Sequence, residues 1–92
     1  MSTDLDRSAA LARSVSVLEE MGLEIVAADP TGRIVEATFT SFWFGFKDDL
    51  VVRIKPAGSG SLIDVRSVSR VGESDLGANA RRISEFLGRF AG

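Results

Sequence analysis

The tightest constraint in this chain is a pair of strand-like runs, residues 49–55 (DLVVRIK) and 61–71 (SLIDVRSVSRV), around Ala57-Gly58-Ser59-Gly60. Apolar and polar residues alternate along both runs, the period of a strand with one buried face. The residues between them tolerate positive φ and suit a hairpin loop. Centring the loop on Gly58 and Ser59 sets Ile54 opposite Ile63, Val52 opposite Val65 and Arg53 opposite Asp64. One face is then apolar and the other is predicted to carry a cross-strand ion pair. A slip of one residue would invert the two faces, so the alternation and the turn specify the same register.

The remaining elements fall around this hairpin. Leu11, Val15 and Leu18 have helical spacing, with Asp4 and Asp6 at the expected amino-terminal end and Gly22 at the position of a carboxy-terminal cap, which predicts a helix over 4–21. LEIVAAD and RIVEATFT on either side of Pro30-Thr31-Gly32 read as a first hairpin. Leu76, Ala80, Ile83, Leu87 and Phe90 predict a second helix, with Ser74 or Asp75 as its cap. The expected fold is α+β in the order α-β-β-β-β-α: a two-layer arrangement of a four-stranded antiparallel sheet with both helices on one face. At 92 residues the chain has room for one domain around one core.

Composition removes several chemistries. Cysteine, histidine and tyrosine are absent, which excludes disulfides, thiolate nucleophiles, the commonest transition-metal ligands and the usual neutral-pH base. Neither a cofactor nor a metal is expected. A net charge of −2 argues against a nucleic-acid partner. The charge is uneven, though: residues 1–49 carry four basic and nine acidic side chains, residues 50–92 seven and four. The second half therefore has room for an anion-facing surface. No apolar run has membrane-spanning length and the first residues lack the regions of a signal peptide, so the chain reads as soluble as given.

Three segments are candidates for function. Residues 38–49 (TFTSFWFGFKDD) hold Phe39, Phe42, Trp43, Phe44 and Phe46, five of seven aromatic residues. On a strand Phe39 and Trp43 point one way and Phe42, Phe44 and Phe46 the other, so a sheet covered on one side cannot bury both sets. Either a bend near Gly45 returns the later rings to the core, or they form a patch for a partner chain, a missing segment of the parent protein, a lipid or a small ligand. The second candidate is the outer face of the second hairpin. There Arg53, Arg66 and Arg70 read either as a solvated charged ladder, with Asp49 reaching Arg66 or Arg70, or as an anion-binding set. Asp48 and Asp49 point to opposite faces and make a poor joint metal or acid/base site.

The third is the corner at 66–82. Ser67 and Ser69 share the core-side face with Ile63 and Val65, and Asn79 lies on the buried side of the last helix within reach of them. With Asp75 as a helix cap, Ser67, Ser69, Asp75 and Asn79 read as a satisfied polar corner rather than a catalytic set.

The same residues carry a family resemblance. TFTSFWFGFKDDLVVRIK and RSVSRVGESDLGANARR are similar to the signature of the bacterial family DUF1499, a domain of unknown function: an aromatic run, an acidic pair, and RSxSRxGxSDxGxN followed by arginine. On that pattern Asp48, Asp49, Arg53, Arg66, Ser67, Ser69, Arg70, Gly72, Ser74, Asp75, Gly77, Asn79 and Arg82 are carried over, without roles. In relatives the domain usually begins further upstream, sometimes behind a lipoprotein signal or membrane helices. The resemblance thus implies an excised carboxy-terminal part of a longer protein, either cytoplasmic or membrane-attached through the missing amino-terminal region. The functional expectation is a non-enzymatic binding or protein-interaction module that uses the aromatic strand and nearby arginines. The alternatives are a hydrolase-like enzyme acting on an ester or phosphate through Asp75, Ser69 and Arg70 or Arg66, and a purely structural subdomain.

Overall fold

The computed structural model describes residues 1–29, 31, 33–40, 47–69 and 76–92, with residues 69 and 76–78 described by backbone alone. The elements are β1 (Ser2–Thr3), α1 (Arg7–Glu20), β2 (Glu24–Ala28), β3 (Ile34–Thr40), β4 (Lys47–Ala57), β5 (Gly60–Ser69) and α2 (Leu76–Ala91). All strand pairs are antiparallel, in the order β1-β5-β4-β3-β2. The α+β class is as expected, but the sheet has five strands rather than four.

The hairpin register predicted from alternation is the one observed. Val52 pairs with Val65, Arg53 with Asp64, Ile54 with Ile63 and Ala57 with Gly60. Gly58 has φ +59° while Ser59, like every described non-glycine residue, does not have a positive φ, so only the first of the two loop residues is left-handed, as in a type II′ turn. Gly60 has a different role. A Cβ there would sit 2.0 Å from the Thr3 carbonyl oxygen, so the missing side chain is what lets β1 approach β5. The amino-terminal segment pairs Ser2 with Leu62 and Thr3 with Ser61. It is held further by the Ile63 N–H donating to the Met1 carbonyl (2.7 Å) and the Ser61 hydroxyl donating to the Leu5 carbonyl (2.9 Å). A two-residue strand has no periodicity for sequence reasoning to detect.

α1 is capped by Asp6, whose carboxylate accepts the Ala9 N–H at 2.8 Å, so the helix opens at Arg7, three residues later than its predicted first residue. It ends in a Schellman motif: Gly22 at φ +83° donates to the Glu19 carbonyl and Leu23 to the Leu18 carbonyl, both at 3.0 Å. β2 and β3 form the first hairpin with a bulge between Ile25 and Ala27, which leaves Val26 exposed. At its turn the Asp29 carboxylate accepts the Thr31 N–H (2.9 Å) and hydroxyl (2.7 Å), which, with Arg33 nearby, hold it below the usual carboxylate range. Pro30 and Gly32 lie outside the described residues.

Both helices pack on one face of the sheet, over Val35, Ala37, Leu50, Val52, Ile54 and Ile63. Each presents a stripe rotated from the predicted one. On α1 the fully buried residues are Ala10, Ser14, Val17 and Leu18, with Leu11 and Val15 flanking them half-buried. On α2 the buried ones among the described side chains are Asn79, Phe86 and Phe90, flanked by Ile83 and Leu87, while Ala80 is exposed and Phe86 had no place in the predicted stripe. Arg13 joins the two helices by donating to the Phe90 carbonyl (Nε, 3.2 Å) and the Arg89 carbonyl (Nη2, 2.9 Å). These bonds satisfy carbonyls that a helix terminus leaves without partners.

Candidate anion-binding site

The sheet has two chemically distinct ends. Where β3 ends and β4 begins, Asp48 pairs with Phe39 across the strands and forms an ion pair with Arg82 of α2. The Arg82 guanidinium lies 4.2 Å above the Phe39 ring centroid, a cation–π contact. One strand over, the Ser67 hydroxyl donates to Asn79 Oδ1 at 2.6 Å. The expected Ser67–Asn79 contact is therefore present, and Arg82 supplies a charged member that the sequence reading had left without a role. Asp49 faces the opposite side of the sheet and accepts the Thr38 hydroxyl at 2.9 Å, so the acidic pair is divided between faces as its adjacency implied. Asp75 and the side chain of Ser69 lie outside the described residues.

The outer-face arginines are placed only in part. Arg53 and Arg66 are both exposed, and their register, Arg53 opposite Asp64 and Arg66 opposite Val51, makes them diagonal neighbours. The expected Arg53–Asp64 ion pair is absent. Among the described residues the ion pairs are Arg82–Asp48, Arg89–Glu20 and Arg89–Glu85. Exposed cross-strand pairs gain little over hydration, which removes any strong reason for the two side chains to close. Arg70, Phe42, Trp43, Phe44 and Phe46 lie outside the described residues; Phe39 packs against the core as half-buried.

The other end of the sheet gathers cations. A cavity of about 310 Å³ is lined by Arg7, Arg33, Ile34, Arg53, Ile54, Lys55 and Pro56. Three parts of the chain meet there. Arg7 is the first residue of α1, Ile34 opens β3, and Arg33 just before it accepts the Ile54 N–H on its carbonyl at 2.8 Å. The far end of β4 supplies the rest, with Arg53 paired to Ile34. The cavity wall is almost wholly hydrocarbon, made by the aliphatic stems of the basic residues together with Ile34, Ile54 and Pro56. Arg33, Arg53 and Lys55 are exposed and Arg7 is half-buried, so their charged heads can reach water at its mouth. Among the described residues none of Arg7, Arg33, Arg53 and Lys55 has an ion-pair partner, and no acidic residue lines the cavity.

Of the neighbouring carboxylates, Asp6 caps α1, Asp29 holds Thr31 with Arg33 nearby, and Asp64 stands across from Arg53 without an ion pair. Of the four cations, sequence reasoning singled out Arg53 alone. Arg7 and Arg33 come from the acidic half of the chain. Their convergence depends on the β3–β4 register and the position of α1, neither of which the sequence pattern specified.

The model of the family described as "Protein of unknown function (DUF1499)" matches residues 1–90 of the chain. No curated protein matches it.

Proposed function

We propose a function from one premise: the chain belongs to the DUF1499 family of proteins of unknown function, so what it does has to be argued from its own residues. It is a non-catalytic binding module that takes an anionic ligand at the cationic end of its sheet. The observation that carries this reading is the cavity rimmed by Arg7, Arg33, Arg53 and Lys55, without a carboxylate in its wall or an ion-pair partner for any of the four among the described residues. Unpaired guanidinium groups at the mouth of a concave site suit carboxylate or phosphate. The volume is at the small end of the range for ligand pockets.

The other polar cluster favours binding over catalysis. Ser67 donates its hydroxyl proton to Asn79 rather than to a base, and Asp48 is held by Arg82, so neither group is poised for proton transfer. The test is a titration with inorganic phosphate followed by amide chemical shifts. Saturable changes centred on Arg7, Ile34, Arg53 and Ile54, weakening as sodium chloride is raised, are expected. Arg33→Ala combined with Arg53→Ala should reduce the affinity at least tenfold. Shifts that map to another surface, or an affinity indifferent to the double substitution, would overturn the reading.

A further inference from the structure

We infer that the ligand of this cavity is an amphiphilic anion, a carboxylate or phosphate bearing a hydrocarbon group, with the hydrocarbon seated in the cavity and the charge held at its rim. The inference rests on the anion-binding reading above and adds the part of the ligand that enters the protein.

A site built for a bare inorganic anion lines its interior with donors, because an ion leaving water must recover its hydrogen bonds. Here the interior offers almost none. Ile34 and Ile54 line it, Pro56 has no N–H to give, and the basic residues contribute their methylene stems. The donors stand outside this wall, where they can meet a charged group that stays at the mouth. A ligand that satisfies both zones carries hydrocarbon at one end and negative charge at the other. A neutral apolar molecule would leave the rim cations unanswered, and a small anion would leave the hydrocarbon wall wet. The four cations come from the start of α1, the start of β3 and the end of β4, so they flank the mouth from different elements and can address one headgroup together.

The test is a series of straight-chain carboxylates, from acetate through butyrate and hexanoate to octanoate, titrated at constant ionic strength with octan-1-ol as the uncharged control. Affinity should rise about two- to fourfold per added methylene, the upper figure applying to a methylene withdrawn completely from water, and level off once the chain outgrows the cavity. Ile34→Ala should flatten the dependence on chain length. Arg33→Ala should instead lower the affinity of every member by a similar factor. Both variants are checked for an intact amide spectrum before titration.

If phosphate and acetate bind at the mapped residues and longer chains bind no better, the anion site stands and its amphiphilic character falls. If neither phosphate nor any carboxylate binds, both readings fall. Octanol binding as tightly as octanoate overturns the role of the rim cations. A last arm uses vesicles of phosphatidylglycerol: binding to them with no binding of free octanoate would overturn a cavity-seated ligand in favour of surface adsorption.

Discussion

Asp48 and Arg82 show how one residue can serve a corner without being a site. Their side chains are 16 % and 20 % exposed, so each is partly desolvated and each depends on the other. The guanidinium also covers the Phe39 ring, adding packing to charge. Replacing Arg82 with Met keeps much of the apolar contact but leaves Asp48 without its cation. The expected cost is about 1–2 kcal/mol, below that of a fully buried pair because water still reaches both groups. Combining Arg82→Met with Asp48→Asn should cost less than the two single changes added together. Strict additivity in denaturant unfolding would show that the pair contributes no coupling. This corner was half legible. Ser67 and Asn79 could be matched because strand alternation and helical spacing each put one of them on the core side. Arg82 could not, because its partner sits on a strand 34 positions earlier whose distance from α2 no local pattern encodes.

At the scale of elements, what could be read in the sequence divides by whether the pattern is periodic. The β4–β5 register came out residue for residue, since an error of one position would have exposed Ile54 and Ile63. Both helices were located, yet their buried stripes were rotated. On α1, hydrophobic periodicity gives weight to large apolar residues, whereas close helix–sheet contact favours small ones. Ala10 and Ser14 are fully buried on α1, with the Ser14 hydroxyl satisfied by the Ala10 carbonyl at 2.8 Å. β1 was missed altogether, and its dependence on Gly60 gives a sharp prediction. Gly60→Ala places a methyl group against the Thr3 backbone, which cannot yield as a flexible side chain would. β1 should detach, and hydrogen exchange at the Ile63 amide, which donates to the Met1 carbonyl, should accelerate at least tenfold. The paired amides between β3 and β4 should keep their protection. Unchanged exchange at Ile63 would mean that β1 accommodates the methyl and that the close approach is not what required glycine.

Across the whole molecule the charge distribution separates stability from binding. Summed along the chain, the positive excess belongs to residues 50–92, which pointed toward Arg53, Arg66 and Arg70. In three dimensions four cations without an ion-pair partner among the described residues, Arg7, Arg33, Arg53 and Lys55, meet at the hairpin end of the sheet, two of them from the acidic half, while Arg82 and Arg89 of the basic half are engaged by carboxylates. Four like charges around one cavity repel one another when it is empty, and an anion relieves that repulsion. Lys55 is exposed and belongs to the rim rather than the core, so reversing its charge changes the field with little effect on packing. Lys55→Glu should therefore raise the melting temperature without ligand slightly, by about 1–3 °C, corresponding to a few tenths of a kcal/mol. The same change should remove more than half of the stabilisation that phosphate gives the original protein, because ligand linkage scales with affinity. Opposite movements of intrinsic stability and ligand response are the signature of charges retained for a ligand. If Lys55→Glu instead lowers the melting temperature and leaves the phosphate response intact, the cation cluster serves the fold, and the cavity loses its claim to be the binding site.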